Sequence, residues 1–365
     1  MADALSRPGR FWPLCLPIAA VLLQFYYGSM DIAAHPEADA KFYVTMSSGG
    51  PASVPAPYGY RILGPWLAGA MPVDVHLAYR LLTDLAAAAC ALALYLLLIA
   101  FGNPAAAAGI TVILWLLNKY LAGFEIWNFY QLNDLLALLG ILVGLLAFER
   151  KRWFLLAVAF LAGILAREAP ILLLPGFAIA AWMRKFGRRE WIALGAALLP
   201  GLLAAGWMRA HYRLPAEAGY LGLLRIYGVK WFSPETPARF FVNAWIPVAF
   251  LPWVFFRDTR EFLGRRPDLL ALGAGTLFAA SLGGDMERLL LPAIPLVYAV
   301  VAHLLAHHPR LAPGLVVCAV VSLPHHMFGL WTLPNRNGTL CFSLLGTVLA
   351  AAWALRETRK PGLAE

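Results

Sequence analysis

Charged residues are scarce in this 365-residue chain. Asp, Glu, Lys and Arg make up 13% of it, whereas soluble domains carry roughly a quarter. Hydrophobic residues reach 61%, the mean hydropathy is +0.69, and no shift in composition marks a linker. This balance argues against a soluble enzyme. It predicts an all-α, polytopic integral membrane protein in which residues 1–365 form one domain.

Cysteine is also scarce, and metal-ligand spacing is missing. The four cysteines lie far apart in or beside apolar segments, without a CxxC pair. This spacing argues against a disulfide framework or a zinc site and favours small buried side chains. The pair His325–His326 and the single His211 lack the spacing to an acidic partner that metal ligands need. We therefore expect no metal and no other cofactor.

The net charge of +9 does not indicate a nucleic-acid partner. No basic patch with interleaved aromatic residues occurs, although nucleic-acid-binding proteins commonly carry one. In a membrane protein, an excess of Lys and Arg belongs in cytoplasmic loops. Membrane lipids, rather than nucleic acid, are the surroundings that the charge predicts.

Twelve apolar segments follow one another along the chain. They cover about residues 11–29, 76–101, 104–118, 132–148, 153–166, 169–183, 191–208, 240–256, 268–283, 289–305, 311–324 and 339–355. Several are shorter than the ~20 residues of a straight span. With the N-terminus in the cytoplasm, well over half of the 29 Lys and Arg residues fall in short cytoplasmic loops, as the positive-inside rule requires. The pattern predicts about twelve transmembrane helices with both termini cytoplasmic.

Polar residues interrupt the apolar stretch 153–183 at its middle. Arg167, Glu168 and Pro170 stand there, between two basic clusters. One long helix would put those clusters on opposite sides of the membrane, against the charge rule, so two short helices fit better. Arg167 and Glu168 would then lie in a recess below the outer surface. Charges at such depth face protein or a water-filled cavity.

The loop 31–66 carries the best candidates for chemistry. Asp39 lies just past the first apolar segment, where a carboxylate could act as a general base on a hydroxyl group; an ordinary solvated acid is the alternative. Asp31 could serve instead, or simply cap the end of the first helix. Arg61, beside Tyr60, suits a lipid phosphate, because a guanidinium combines charge with planar hydrogen bonding. An arginine reaching the membrane interface is the other interpretation.

Three further groups of polar residues stand out. Glu125, Asn128, Asn133 and Asp134, together with Trp127 and Tyr130, form a pattern that suits sugar binding but also fits a membrane-interface belt. Arg80 and Asp84 are four residues apart and predict an intrahelical ion pair. The charged run from Asp285 to Arg288 follows two glycines near a helix end, which favours either function or a simple helix break.

Four short motifs resemble those of the GT-C superfamily of polytopic glycosyltransferases. They are Asp39 to Tyr43 (Asp-x-x-aromatic-Tyr), Tyr60 to Pro65 (Tyr-Arg-x-Leu-x-Pro), Ala166-Arg167-Glu168, and Asp285 to Arg288 (Asp-x-x-Arg). The motifs cover about a tenth of the chain, and the expected topology covers most of it. The chain departs from the usual Asp-Glu pair, because Ala40 follows Asp39. It also lacks a large C-terminal soluble domain, unlike oligosaccharyltransferase-like members.

The resemblance implies a fold and a function. It implies a cavity formed by outer-face loops, in which a sugar moves from a polyprenyl-phosphate donor to a lipid or glycan acceptor by a single inverting displacement. The enzyme would lie in a bacterial inner membrane, with its active site on the periplasmic side. Asp39, or its rival Asp31, would be the catalytic carboxylate. Substrate and phosphate contacts would come from Tyr60, Arg61, Arg167, Glu168, Asp285 and Arg288.

A twelve-span transporter or flippase for lipid-linked cargo is the main alternative. Transporters commonly contain internal repeats and broken helices at the middle of the membrane. This chain shows no repeat, and its polar residues gather on one side, which favours an enzyme. A scaffold subunit is a third possibility, but it leaves the recess at Arg167 and Glu168 unexplained.

Overall fold

The chain is helical wherever its structure is described. The computed structural model describes residues 11–35, 39–212, 242–283 and 286–358, together with residues 222, 225, 226, 228, 233 and 236. These parts form α-helices joined by short 3-10 and π turns and contain no strand. The expected all-α class is therefore confirmed.

The α-helices are numbered here in chain order. The first seven are α1 (Trp12–Tyr27), α2 (Ala40–Gly49), α3 (Leu63–Ala70), α4 (Val75–Ala100), α5 (Ala105–Leu116), α6 (Phe124–Trp127) and α7 (Leu132–Glu149). The next five are α8 (Trp153–Ala166), α9 (Leu173–Met183), α10 (Arg188–Tyr212), α11 (Leu251–Val254) and α12 (Phe256–Arg265). The last five are α13 (Pro267–Ala280), α14 (Met286–Leu289), α15 (Ile294–His307), α16 (Leu311–Val321) and α17 (Arg336–Thr358).

Several of these helices can cross a membrane. Within the described ranges, four are long and apolar enough: α4, α7 with the turn before it, α10 and α17. A fifth results if the bent pair Ala105–Leu116 and Lys119–Trp127 is one span. Six shorter apolar helices accompany them. These lengths fit a multi-pass membrane protein, while the count of about twelve spans stays a prediction.

The segment 240–256 differs from its expected form as one helix. Its described part contains turns from Ala244 to Phe250, and only Leu251–Val254 is α-helical. Pro247 and Pro252 explain the break, because proline lacks the backbone N–H that a continuing helix needs. Ala244, Ile246 and Val248 are buried, as their apolar character favours, but apolar composition alone does not distinguish a helix from packed turns.

The predicted break within residues 153–183 is confirmed. Helix α8 ends at Ala166, and Arg167 has an extended backbone with φ −166° and ψ 156°. A 3-10 turn, Ala169–Leu172, then leads into α9. Proline at position 170 fits the start of this turn, where its missing N–H has no partner to lose. The extended residue turns its side chain out of the helix axis and into the protein.

Helices α5 and α6 belong to one apolar stretch that bends by 63°. Asn118 lies at the bend, where its side-chain oxygen accepts the backbone N–H groups of Tyr120 and Leu121. Its amide group donates to the carbonyl of Ala244 at 2.8 Å. Lys119, 1% exposed, donates to the carbonyl of Pro324 at 2.9 Å. Side chains thus satisfy the backbone groups that the bend and the neighbouring turns leave open.

Helix α7 forms the centre of the described fold. Over its apolar window, 83% of the residues are buried, and α4 and α8 pack along it. At the crossing with α8, a Cβ added to Gly140 would lie 2.8 Å from both the carbonyl oxygen of Ala159 and the Cα of Gly163. Small residues allow this close approach, which is a common basis of helix packing in membranes.

The last residue of α7 holds the ends of other helices together. Glu149 accepts hydrogen bonds from Arg184 at 2.7 Å and from Arg266 at 2.8 Å. Arg266 also pairs with Asp268 through two hydrogen bonds and lies 3.8 Å from the ring centroid of Phe101. The C-terminal ends of α4, α7 and α9 therefore meet the start of α13.

The tight crossing at Gly140 gives a first testable prediction. Gly140→Ala should destabilise the protein by about 1–3 kcal/mol, because the added methyl group has no room beside backbone atoms. Thermal unfolding of the purified protein should show a lower midpoint. Gly195→Ala is the matched control: it also lies within a helix, nothing lies within 4 Å of its Cβ position, and it should leave the midpoint unchanged or raise it. Equal midpoints for both variants would contradict the close packing.

Candidate functional site

Seven charged side chains from distant parts of the chain lie close together and are termed here the ion cluster. Their ion pairs form two groups, one centred on Asp134 and the other on Glu168, and both groups line one cavity. The four arginines and three carboxylates of the cluster are Arg61, Arg167, Arg209, Arg288, Asp39, Asp134 and Glu168. They come from the loops before α2 and α3, the first turn of α7, the break after α8, the end of α10 and the short helix α14. Burial of so many charges requires that they neutralise one another.

Asp39 precedes the first residue of α2 and is held from three sides. Its Oδ1 accepts the hydroxyl of Tyr58 at 2.7 Å. Its Oδ2 lies 3.2 Å from Nη1 of Arg288 and 3.4 Å from Nε2 of Gln131. The side chain is 22% exposed. A carboxylate accepts about four hydrogen bonds, so Asp39 retains capacity for one more donor.

The surroundings of Asp39 keep it ionised. Burial alone would raise its pKa, but the charge of Arg288 and the hydrogen bond from Tyr58 outweigh burial and lower the pKa below its usual value. Tyr58 responds in the opposite sense, since burial and the nearby Asp39 carboxylate raise the pKa of its phenol. The pair is therefore a carboxylate with a neutral hydroxyl donor at neutral pH.

Asp134 links the arginines. Its side chain has no exposed surface; Oδ1 accepts a hydrogen bond from Arg167, and Oδ2 lies 3.2 Å from Nε of Arg288. The position in the first turn of α7 also suits an anion, because the N-terminal end of a helix carries partial positive charge. Arg288 consequently contacts both Asp39 and Asp134 and links these two carboxylates.

Arg61 and Arg209 share Glu168. Nε of Arg61 lies 3.9 Å from one carboxylate oxygen of Glu168, and Nη2 of Arg209 lies 3.4 Å from the other. Arg61 also donates to the hydroxyl of Tyr43 at 2.9 Å, and Asn133 donates to its backbone carbonyl at 3.2 Å. Arg61 is thus fixed, whereas Arg209, whose side chain is 38% exposed, has room to move.

Two cavities lie on either side of the cluster. The first, about 400 Å³, combines apolar walls from α7, α13 and the 3-10 turn with Arg61, Arg167, Arg209, Asp134 and Glu168. The second, about 290 Å³, is lined by Met30, His35, Asp39, Tyr58, Phe124, Trp127, Asn128, Gln131, Arg288 and Met327. The two cavities adjoin, because Arg288 of the second contacts Asp134 of the first.

The predicted site residues fall into three groups: members of the ion cluster, one residue at its edge, and two residues that do not belong to the described cluster. Arg61, Arg167, Glu168 and Arg288 join Asp39 in the ion cluster. Tyr60 lies at its edge, with its ring 5.5 Å from the guanidinium of Arg209.

Asp31 and Asp285 do not belong to the described cluster. Asp31 is exposed, and its carboxylate accepts the backbone N–H of Ala33 at 2.9 Å. This contact closes a local turn beyond the end of α1 rather than capping the helix, and Asp31 forms no ion pair with the described members of the cluster. Asp285 lies outside the described residues.

Gln131 and Arg209 were missed, and Asp134 was noted only within the group that suits sugar binding, not as a partner of the arginines. Asp134 carried a usable signal, because an acid inside an apolar helix is costly unless it has a partner or a function. Arg209 and Gln131 carried none, since both stand among interface-type residues at the ends of helices. Arg80 and Asp84 form the expected intrahelical pair at 3.5 Å, away from the cluster.

The pairing of Arg167 with Asp134 predicts strong coupling in stability. Arg167→Met should destabilise the protein by about 3–5 kcal/mol, because it removes one partner of a buried carboxylate. Adding Asp134→Leu should recover at least half of that loss, since the double variant no longer buries an unbalanced charge there. Thermal unfolding of both single variants and the double variant measures the coupling. Additive losses would show that the pair contributes nothing specific.

No protein-family model matches this chain, and neither the curated proteins nor the solved structures contain a significant match to it. The function is therefore inferred from the side chains of the ion cluster and from the two cavities beside it.

Proposed function

We propose that the protein is a GT-C-type glycosyltransferase that uses a polyprenyl-phosphate sugar. The observation that carries the proposal is the arrangement of two different cavities on either side of one ion cluster. One cavity is largely apolar and has three arginines against two carboxylates, and the other is more polar and has Asp39 beside a single arginine. Group transfer between a lipid-linked donor and a hydroxyl acceptor needs such a pair of adjoining sites.

The first cavity suits the donor. Its apolar lining accommodates the start of a prenyl chain, and its three arginines exceed its two carboxylates by one positive charge. A sugar phosphodiester carries one negative charge, which would balance this excess. Arginine is well suited to the task, because its planar guanidinium forms paired hydrogen bonds with phosphate oxygens. Arg209 can adjust its position because it is the most exposed of the three cavity arginines.

The second cavity suits the acceptor. The acceptor's hydroxyl group would donate a hydrogen bond to the remaining lone pair of Asp39. Its oxygen would attack the anomeric carbon of the donor sugar, while the bond from that carbon to the phosphate oxygen breaks. Such transition states resemble an oxocarbenium ion, so the attacking hydroxyl needs little deprotonation beforehand. A carboxylate with a lowered pKa is a weak base, but it remains charged, and it can orient the hydroxyl and receive its proton late in the reaction.

The arginines would stabilise the leaving group. As the glycosidic bond breaks, negative charge grows on the phosphate, and fixed guanidinium groups already face the first cavity. Fixed charges in a partly dehydrated site stabilise developing charge without reorganising. Arg61 and Arg167 are held by Tyr43 and Asp134 respectively, which limits their motion during the reaction.

The proposed placement in the membrane follows the charge pattern. We infer about twelve spans, with the shorter apolar helices completing the four or five long ones, and both termini in the cytoplasm. The ion cluster at the start of α7 would then face the periplasm of a bacterial inner membrane. The donor could enter the first cavity laterally from the lipid, and a lipid or glycan acceptor would approach from the periplasm.

The central test is sugar transfer in proteoliposomes. A panel of radiolabelled polyprenyl-phosphate sugars is supplied with a lipid and glycan extract, and the transferred label is counted. Wild-type protein should transfer at least one sugar, and Asp39→Asn should lower kcat by a factor of about 10²–10⁴, the usual contribution of an acid–base group. Asp31→Asn is the matched control and should transfer at the wild-type rate, because its carboxylate caps a turn away from the cluster.

Two results would contradict the proposal. Full activity in Asp39→Asn would remove this residue from the mechanism. Absence of transfer from every donor, combined with movement of labelled lipid across the bilayer, would identify the protein as the flippase that the sequence left as its alternative.

The pH dependence of transfer tests the role of Arg288. Asp39 has a lowered pKa in the folded protein because Arg288 and Tyr58 favour its charged form. Activity that needs the carboxylate should therefore be lost only at a pH below the ordinary range of an aspartate. Arg288→Gln removes the favourable charge, and the pKa of Asp39 should rise. The acid limb of the kcat profile should therefore move to higher pH, in addition to any loss of kcat. An acid limb at the same pH in both proteins would show that Arg288 does not control Asp39.

A further inference from the structure

Two amide groups in the second cavity have unused acceptor oxygens. Asn128 is 3% exposed and Gln131 is 1% exposed, and both line this cavity. Neither Oδ1 of Asn128 nor Oε1 of Gln131 has a hydrogen-bond partner among the described residues. Both oxygens are themselves buried, and a buried acceptor without a partner costs about 1–3 kcal/mol. A small side-chain movement that lets a ligand donate to them would therefore favour binding.

The orientation of Gln131 is fixed by its neighbour. Its amide nitrogen lies 3.4 Å from the carboxylate of Asp39, and of the two ends of an amide group only the N–H end can donate to an ionised carboxylate. The carbonyl oxygen is therefore the atom left over. It can receive a hydrogen bond from a hydroxyl or an amine, whereas it repels an anion.

The charge of the second cavity selects further among these ligands. Asp39 and Arg288 both line it and neutralise each other at 3.2 Å. The first cavity differs, because its arginines outnumber its carboxylates. Arg288 would repel a cationic ligand, and Asp39 and the two amide oxygens would repel an anionic one. An uncharged ligand with several hydroxyl groups meets neither obstacle.

The size and walls of the cavity fit one sugar ring. Its volume of about 290 Å³ is at the lower end of the range for small-molecule sites. Trp127 contributes an aromatic wall and is stacked on Phe328, with ring centroids 5.1 Å apart. Aromatic walls beside polar groups are typical where a ligand has one apolar side and a hydroxyl-rich edge.

We propose that the second cavity binds a neutral sugar ring of the acceptor, whose hydroxyl groups donate to Asn128 and Gln131. The inference builds on the proposed function, because it identifies the acceptor as an uncharged carbohydrate rather than a phosphorylated or acidic lipid headgroup. The sugar would lie beside Asp39, so that one of its hydroxyl groups reaches the carboxylate.

Saturation-transfer NMR tests this directly. The protein is placed in nanodiscs without glycoside detergents, and a panel of methyl glycosides of neutral hexoses and pentoses is compared with methyl glucuronides. At least one neutral glycoside should bind, and no glucuronide should bind more tightly. Asn128→Leu and Gln131→Met should each weaken binding about fivefold to tenfold, the effect expected for one lost hydrogen bond. Asn243→Leu is the matched control, since Asn243 is buried and its oxygen also lacks a partner, but it does not line the cavity.

The outcomes separate this inference from the proposed function. The inference fails if wild-type protein binds no neutral glycoside, if it prefers glucuronides, or if Asn128→Leu and Gln131→Met bind like wild type. Because wild-type protein alone decides the first two results, misfolding of a variant cannot hide them. In the transfer assay, Asn128→Leu should raise the acceptor KM and leave the donor KM unchanged; a raised donor KM would instead place the transferred sugar in this cavity. Glycoside binding without any transfer would refute the glycosyltransferase while leaving the sugar site intact.

Discussion

The whole site depends on the need to neutralise one buried carboxylate. Asp134 has no exposed surface, and an isolated charge in such surroundings would be prohibitively costly. Two arginines neutralise its charge, and they come from distant parts of the chain: Arg167 follows α8, and Arg288 lies on α14. Meeting this one requirement therefore determines where the broken helix and the short late helix must lie relative to α7. The two cavities are the spaces that remain on either side.

The same helix also anchors the far end of the fold. Asp134 stands in the first turn of α7 and Glu149 is its last residue, so about 22 Å of helix separates the two groups of charges at 1.5 Å per residue. Between them α7 is almost entirely apolar, as the middle of a membrane protein requires. The ion pairs of Glu149 limit sliding of α9 and α13 along α7, and those of Asp134 hold the break after α8 and helix α14. This rigidity suits a site that must hold several charges in place. It is less suited to a helix that has to move between two states.

Sequence reasoning predicted the elements of this site better than their assembly. The helical class, the break at Arg167 and the pair Arg80–Asp84 followed from hydropathy, charge and spacing, because each depends on neighbours in the chain. The segment 240–256 was predicted wrongly, since an apolar stretch with two prolines can pack as turns. Arg61, Arg167 and Arg288 could each be singled out as costly charges. Nothing local, however, shows that Arg288 reaches Asp39, 249 residues away, or that Asp134 receives two arginines.

Arg288 gives the cluster a physical link between its two cavities. Its guanidinium is divided between Asp39 and Asp134, both at 3.2 Å, and neither contact has the geometry of a paired, two-bond salt bridge. In the proposed mechanism, a phosphate in the first cavity would draw Arg167 away from Asp134, because phosphate oxygens offer a guanidinium strong charge-assisted hydrogen bonds. Asp134 would then attract Arg288 more strongly. Any shift of Arg288 away from Asp39 weakens the main interaction that lowers the pKa of this carboxylate, so Asp39 becomes a better base. Donor binding on one side of the cluster would thereby prepare the carboxylate on the other.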